Sequence, residues 1–314
     1  MSAGRLAPSP TGAQHLGNAR TYLLAYWSAR KTNSNLVLRI EDVDSPRVKP
    51  WASQQAVDDL RWLGIDWEEG PDVGGSNAPY VQTERLQLYR DALQRLIELG
   101  LVFPCTCTRK DIQSAGSAPH FDHEPAVYPG FCAGWKRGDS LPEEGTYCWR
   151  FRAGTQQREF DDLVLGHHEC VPADALGAFP VTQKSGEPSY QLAVVVDDAA
   201  MGVTEVVRGN DLVASTFRQI ELYHALGLNI PRFAHVPLVC GTDGRRLAKR
   251  HGDTRLSFYR EQGVSPARII TWAARSTGMI SEHEHVETAA SAIEYFDWGK
   301  LPQEDTQIDA ASFR

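Results

Sequence analysis

The stretch "APSPTGAQHLGN", Ala7 to Asn18, separates a short apolar run ("GRLA") from an amphipathic segment ("NARTYLLAYWSARK"). A second apolar run, "LVLRIE" at 36–41, follows. Residues 3–7 and 36–41 read as strands joined by a helix of about four turns. That order makes a βαβ unit, and its first loop lies at the carboxyl end of a strand, where open α/β sheets bind ligands. The loop has neither the dinucleotide fingerprint nor the P-loop spacing. It nevertheless presents backbone N–H groups and the positive end of a helix dipole to an anion. His15, just before the helix, is placed to hydrogen-bond a phosphate oxygen; the alternative is a capped turn carrying a surface histidine.

Downstream, "WASQQAVDDLRWLG" predicts a second helix ending at Gly64. Leu86, Tyr89, Leu93, Leu96 and Ile97 mark one face of a third, with Gly100 as its C-terminal stop. Residues 101–180 then change character, rich in Cys, Gly, Pro and His with short strand-like pieces such as "TYCWRF", and read as an inserted α+β module. "YQLAVVVDD" and "VTEVVRG" read as strands of the resumed parallel sheet, and Val213, Phe217, Ile220 and Tyr223 as a helix starting near Asp211. From about 257 the pattern is mostly helical, with a polar tail after Leu301. The expected organisation has a first catalytic half (1–103), an insertion (104–180), a second catalytic half (181–256) and a helical stem-contact region with a tail (257–314).

At 314 residues and 42% hydrophobic, the chain can bury one large core or several smaller ones. No apolar run approaches the roughly 18 residues of a membrane span, and the N-terminus lacks a signal-peptide layout, so a soluble, cytoplasmic protein with no membrane partner is expected. A net charge of −8 argues against a generic basic nucleic-acid binder but leaves room for a local basic face.

A second basic loop, "GRRLAKRHGD" at 244–253, follows the last expected strand. By itself it reads as a solvated charge run. Together with His15 and "LVLRIEDVD" it resembles the class I aminoacyl-tRNA synthetases: His15-Leu16-Gly17-Asn18 is similar to their first signature, and Arg246-Leu247-Ala248-Lys249-Arg250 to their mobile lysine loop. The segments "GRLAPSPTGAQHLGNAR", "RIEDVD", "LGIDWEEGP", "QTERLQLYRDAL", "AVVVDDAAMGVTEVVRG" and "RRLAKRHGD" resemble the glutamyl branch in the same order, from about residue 3 to residue 280.

The resemblance implies an α/β fold: a doubly wound parallel (Rossmann-type) catalytic domain with an inserted zinc-containing module and a short helical C-terminal region. It implies that ATP, with Mg²⁺, is held by His15, Gly17, Asn18 and Lys249, with His15 and Lys249 catalytic at the phosphates and the leaving pyrophosphate. Glutamate would be held by Arg5 and Arg208 through its carboxylates and by Glu41 through its ammonium, with Tyr190, Ala7 and Ser9 lining the pocket. Two departures stand out: Asn18 occupies the place of a frequent second histidine, and Ala248 that of a frequent serine. Asp197 and Asp198 are expected to be structural or capping residues.

Cys105-Thr-Cys107 points to metal in a cytosolic chain. The residues alone allow completion by Cys132 with His120 or His123. The resemblance implies instead a zinc site of Cys105, Cys107, Tyr128 and Cys132, with His123 in reserve, while Cys148, Cys170 and Cys240 read as core or surface thiols. Only 64 residues follow Arg250, fewer than an anticodon-binding region needs. The chain is thus similar to the shortened members of the branch, the glutamyl-queuosine tRNA(Asp) synthetases. Their activity implies glutamyl-adenylate formation without tRNA, then transfer to queuosine in the anticodon stem-loop of tRNA-Asp, by a monomer. The alternatives are a truncated enzyme charging tRNA-Glu and a catalytically silent paralogue binding glutamate or RNA.

Overall fold

The computed structural model describes residues 2–43, 47–115 (backbone alone at 115), 126–245, 247, 253–309 and 313. In chain order its elements are β1 (Ala3–Leu6), α1 (Leu16–Lys31), β2 (Asn35–Leu38), α2 (Pro50–Trp62), α3 (Leu86–Glu98), β3 (Val102–Cys105) and α4 (Arg109–Ala115). There follow β4 (Cys148–Phe151), β5 (Arg158–Asp162), β6 (Gly166–Cys170), α5 (Pro172–Ala175), β7 (Phe179–Pro180), α6 (Tyr190–Ala200), β8 (Glu205–Gly209) and α7 (Val213–Leu226). The chain closes with β9 (Arg232–Val236), β10 (Val239–Gly241), α8 (Leu256–Glu261), α9 (Pro266–Ser276) and β11 (Thr306–Ile308).

The expected βαβ opening is present: β1 and β2 are parallel, in register from Ala3 opposite Asn35 to Leu6 opposite Leu38. Thr204, just before β8, ties this pair to the second half of the sheet. Its N–H donates to the Ala3 carbonyl at 2.8 Å, and its hydroxyl accepts from the Ala3 N–H at 3.1 Å. Strand β9 runs parallel to β8, and β5 joins β9 in parallel through Asp162 opposite Phe233, with β6 antiparallel at the edge. The inserted region contributes a separate antiparallel sheet of β3, β4 and β7.

Two apolar clusters hold these layers. One packs α1, through Leu23, Leu24 and Trp27, against α9 and the C-terminal residues Phe296 and Ile308. The other packs Leu96 of α3, Leu192 and Val195 of α6 and Ile220 of α7 against Trp149 and Phe151 of β4. Helix α3 ends as expected, with Gly100 at φ +71°, a left-handed conformation that glycine adopts without steric cost.

Two expectations are corrected. "YQLAVVVDD" is the helix α6 and not a strand. Leu192 to Val195 are all buried, so the segment has no polar face to reveal a period, and a short apolar run rich in valine reads equally well as a strand. The end of the chain is not simply helix and polar tail. Beyond α9 it runs through 3₁₀ turns into β11, which pairs in parallel with β10. The Thr306 hydroxyl there accepts from the Arg20 guanidinium at 2.6 Å, and Asp305 accepts from the Leu238 N–H at 2.7 Å. Among the described residues no helix is long and apolar enough to cross a membrane.

Candidate active site

A cavity of about 610 Å³ opens at the carboxyl ends of β1 and β8. Its walls include Arg5, Ala7, Ser9, His15, Gly17, Asn18, Glu41, Tyr190 and Arg208, so every expected glutamate residue and three of the four expected ATP residues share one cleft. The fourth, Lys249, lies outside the described residues, as do Arg246, Ala248 and Arg250. The residues flanking that loop are described. It leaves β10, Leu247 lines the cleft, and the chain returns as Leu256 N–H donates to the Gln14 carbonyl and Leu16 N–H to the Thr254 carbonyl. Residues 254–256, just beyond the second motif, are therefore stitched to the first motif at the entrance of α1.

His15 is the N-cap of α1. Its Nδ1 accepts from the Gly17 N–H at 3.1 Å, while the Asn18 side-chain oxygen accepts from the His15 N–H at 3.1 Å, a reciprocal capping box. His15 thus caps the turn and also lines the cleft. Asn18 acquires a definite part as the other half of the cap. Gly17 is where the chain comes closest to the ring, since a Cβ there would lie 3.0 Å from His15 Cε1.

Behind the cleft lies a buried charge cluster that sequence reasoning reached only in part. Arg39 pairs with Glu41 at 2.8 Å, with Asp198 at 2.7 Å and with Asp197 at 3.7 Å. Asp197 also accepts from Arg85 at 2.7 Å, Tyr89 at 2.8 Å and Gln82 at 2.9 Å. The structure thus gives the two aspartates the structural part expected of them. Arg39, the hub, was not singled out; its signal was a lone charge inside the apolar run "LVLRIE". Burial raises the Glu41 carboxyl above its usual range, with Arg39 and Arg5 pulling it back. Arg5 donates to the Val207 carbonyl at 2.8 Å and stands 3.9 Å from Asp198.

Arg208 is held differently. Its Nε donates to His235 Nε2 at 3.1 Å, one terminal nitrogen to Gln219 Oε1 at 2.8 Å, and the other to the Thr216 hydroxyl at 2.7 Å. Weaker contacts at 3.5 Å reach the Tyr190 hydroxyl and the Leu212 carbonyl. His235 is completely buried and turns Nδ1 to Asp162 at 2.6 Å, and Asp162 accepts further from the N–H groups of Val164 and Leu165. Burial pushes the His235 imidazole down to about 4, the neutral form whose Nε2 can accept from Arg208. None of His235, Asp162, Thr216 or Gln219 was expected from the sequence: Asp162 ends the mostly charged strand β5, Thr216 and Gln219 sit among other polar residues of α7, and His235 is one polar residue in β9, so nothing local marks what they meet.

The insertion brings its expected ligands together. The thiol sulfurs of Cys105, Cys107 and Cys132 lie within 4.8 Å of one another, with Cys107 and Cys132 3.7 Å apart. The Tyr128 hydroxyl stands 3.5 Å from the Cys105 sulfur and 3.9 Å from that of Cys107. A tetrahedral zinc with Zn–S of about 2.3 Å and Zn–O of about 2.0 Å sets edges of about 3.8 Å between sulfurs and about 3.5 Å from sulfur to oxygen, which these spacings fit. Tyr128 also accepts from the Cys132 N–H at 2.8 Å. His120 and His123 lie outside the described residues. Cys148, opposite Cys105 across β3 and β4, is a buried thiol beside the cluster.

This cleft, built where β1 and β8 meet beneath the capped end of α1, is that of a class I synthetase. The family model for the catalytic domain of class I tRNA synthetases (E and Q) matches residues 3–312. A solved glutamate tRNA ligase from Elizabethkingia meningosepticum, in complex with its amino acid, superposes with a TM-score of 0.83 at 26% identity, covering 99% of this chain and 67% of that one. A glutamate–tRNA ligase of Anaeromyxobacter is 39% identical, over 94% of this chain and 61% of its own length. A glutamyl-Q tRNA(Asp) synthetase of Rhodopirellula baltica is 53% identical, over 97% of this chain and 96% of its own. The chain belongs to the glutamyl-Q tRNA(Asp) synthetase family, and is a ligase.

Proposed function

We propose that the protein activates L-glutamate with ATP, as the Mg²⁺ complex, and transfers it to the queuosine base of tRNA-Asp. The observation that supports the activation step is the cleft itself, which is lined both by Arg208, a buried cation with no carboxylate partner among the described residues, and by the N-terminal end of α1. In this reading Arg208 takes the side-chain carboxylate of glutamate, Glu41 the ammonium, and Arg5 and Tyr190 complete the pocket. Because His15 Nδ1 accepts from Gly17, a neutral ring carries its proton on Nε2, the tautomer that donates to a phosphate oxygen. The glutamate α-carboxylate attacks the α-phosphorus, the bond to the bridging oxygen breaks, and pyrophosphate leaves with the electron pair. Catalysis is then positioning and charge stabilisation, with Lys249 assigned to the departing pyrophosphate.

Cys105, Cys107, Cys132 and Tyr128 would hold zinc, which supplies a structural staple for the insertion. The high identity to the Rhodopirellula relative supports queuosine as the acceptor. The decisive experiment offers labelled glutamate to tRNA-Asp from queuosine-competent cells, tRNA-Asp from queuosine-deficient cells, and tRNA-Glu. Attachment to the first alone is expected. Attachment to tRNA-Glu alone overturns the reading in favour of the enzyme that charges tRNA-Glu.

A further inference from the structure

The three arginines around the cleft are neutralised to very different degrees. Arg39 contacts three carboxylates, and Arg5 has Asp198 at 3.9 Å. Arg208, only 4% exposed, is surrounded by Gln219, Thr216, Tyr190, the Leu212 carbonyl and the His235 ring, which are all uncharged acceptors. The Asp162 carboxylate lies behind the imidazole and spends its oxygens on His235, Val164 and Leu165. A buried guanidinium is costly unless its hydrogen bonds are made, and here they are made without cancelling its charge.

We propose that this uncharged shell, with Gln219 as its principal member, is a determinant of glutamate over glutamine: it fixes Arg208 while reserving the whole positive charge for the substrate. Gln219 suits the task because both ends of its amide are committed. Its oxygen accepts from Arg208, so its nitrogen donates to Gln191 Oε1 at 3.0 Å, and Gln191 in turn donates to Ser215 at 3.0 Å. A guanidinium can only donate, and this fixes which end of the amide faces Arg208. A carboxylate at this point would hold the guanidinium equally well and still remove the reason for an acidic substrate to bind. Neutral glutamine would then no longer be disfavoured. The proposal rests on the reading that Arg208 receives the substrate side chain.

The test is ATP–pyrophosphate exchange with glutamate and with glutamine on three variants of the full chain. Gln219→Glu is nearly isosteric, and Gln191 can turn its amide to donate to it while Ser215 donates to the other end. For that variant the glutamate KM is expected to rise by on the order of a hundred-fold, with kcat changed far less, since a like charge set against a ligand costs several kcal/mol in binding. The preference for glutamate over glutamine should collapse with it. Gln219→Met keeps the shell uncharged. It should raise KM by about tenfold through the lost hydrogen bond to a charged group and leave the preference in place. Arg208→Gln tests the underlying reading: if it retains the wild-type preference, Arg208 does not receive the side chain. If Arg208→Gln loses the preference while Gln219→Glu keeps it, the reading of the pocket stands and the role of the shell is overturned. Equal losses of preference in the Glu and Met variants also overturn it, since charge would then not be the cause. Should Gln219→Glu fail to fold, Thr216→Asp sets the carboxylate against the other terminal nitrogen, with the same outcome expected.

Discussion

The cleft and the thiol cluster are both polar centres buried in an otherwise apolar protein, but they are completed in opposite ways. Behind the cleft, Arg39 and Arg85 pair with Glu41, Asp197 and Asp198, and Asp197 by itself collects three side-chain hydrogen-bond donors. The part of the network around Asp197 is finished before any substrate arrives. The insertion gathers three thiols and a phenol, the set proposed above to hold zinc, and the apolar cluster around them is small, with Phe103, Cys105, Tyr128 and Cys148 as its buried members. One centre is braced by its own charges; the other, on the proposed reading, would depend on zinc for order.

The largest expected effect breaks the thiol centre. Structural zinc contributes on the order of 10 kcal/mol of folding free energy to small metal modules. Stripping the protein with a chelator, or substituting Cys132→Ser, should therefore loosen residues 105–150. Proteolysis in that span should accelerate while glutamate-dependent pyrophosphate exchange persists, because the cleft does not use those ligands. Zinc content near one per chain, lost in Cys132→Ser, is the accompanying measurement. Exchange lost in step with zinc would show that the two centres are not separable.

The next effect lies at the finished centre. Asp197→Ala removes the carboxylate that Arg85 and Arg39 share; Arg39 keeps Glu41 and Asp198, but Arg85 is left buried without its carboxylate, and breaking a buried pair in this way typically costs about 3–5 kcal/mol. Denaturant unfolding should show this loss whether or not a chelator is present. A cost below about 1 kcal/mol, the range of exposed ion pairs, would mean that the network is not the brace described.

How far these centres could be read from the sequence follows from the same difference. The thiols are close in sequence, Cys105 to Cys132, and their spacing carries a chemical meaning, so the cluster could be named. The pocket residues Arg5, His15, Glu41 and Arg208 were reached through resemblance, and the structure brings them into one cleft. The supports were not legible. Arg39 and His235 each interrupt an apolar run, Gln219 is one of several polar residues on α7, and nothing local indicates what such a residue meets across the fold. The same apolar continuity disguised α6 as a strand. The β10–β11 pair could not be seen because its strands are more than sixty residues apart and only three residues long.

A smaller effect separates two buried acids within the catalytic half. Asp59 on α2 is fully buried and, among the described residues, receives no hydrogen bond on either oxygen and has Arg260 at 3.4 Å as its ion-pair partner. Burial pushes its carboxyl up to about 6. The folded state therefore holds this proton more tightly than the unfolded chain does. The contribution is fully present below the unfolded value near 4 and is lost as pH rises through 6. Stability between pH 4 and 6 should fall by about 2 kcal/mol from this group alone, and Asp59→Asn should flatten that slope. An unchanged slope in the variant would place the titration elsewhere.

The smallest effect falls where the finished centre meets the substrate. Asn18 closes the cap of α1 by accepting from the His15 N–H, and it also lines the cleft. Asn18→Ala should cost about 1 kcal/mol, the usual value of a lost cap interaction. Asn18→Asp keeps the acceptor and adds a negative charge at the positive end of the helix dipole, so its stability should equal or slightly exceed that of the wild type. The same charge faces the site assigned to the ATP phosphates, so the KM for ATP should rise in Asn18→Asp more than in Asn18→Ala. Stability and nucleotide binding thus order the two variants oppositely. If both properties fall together in Asn18→Asp, the cap is not what Asn18 provides. If ATP binding is indifferent to the added charge, the phosphates do not sit over this end of α1.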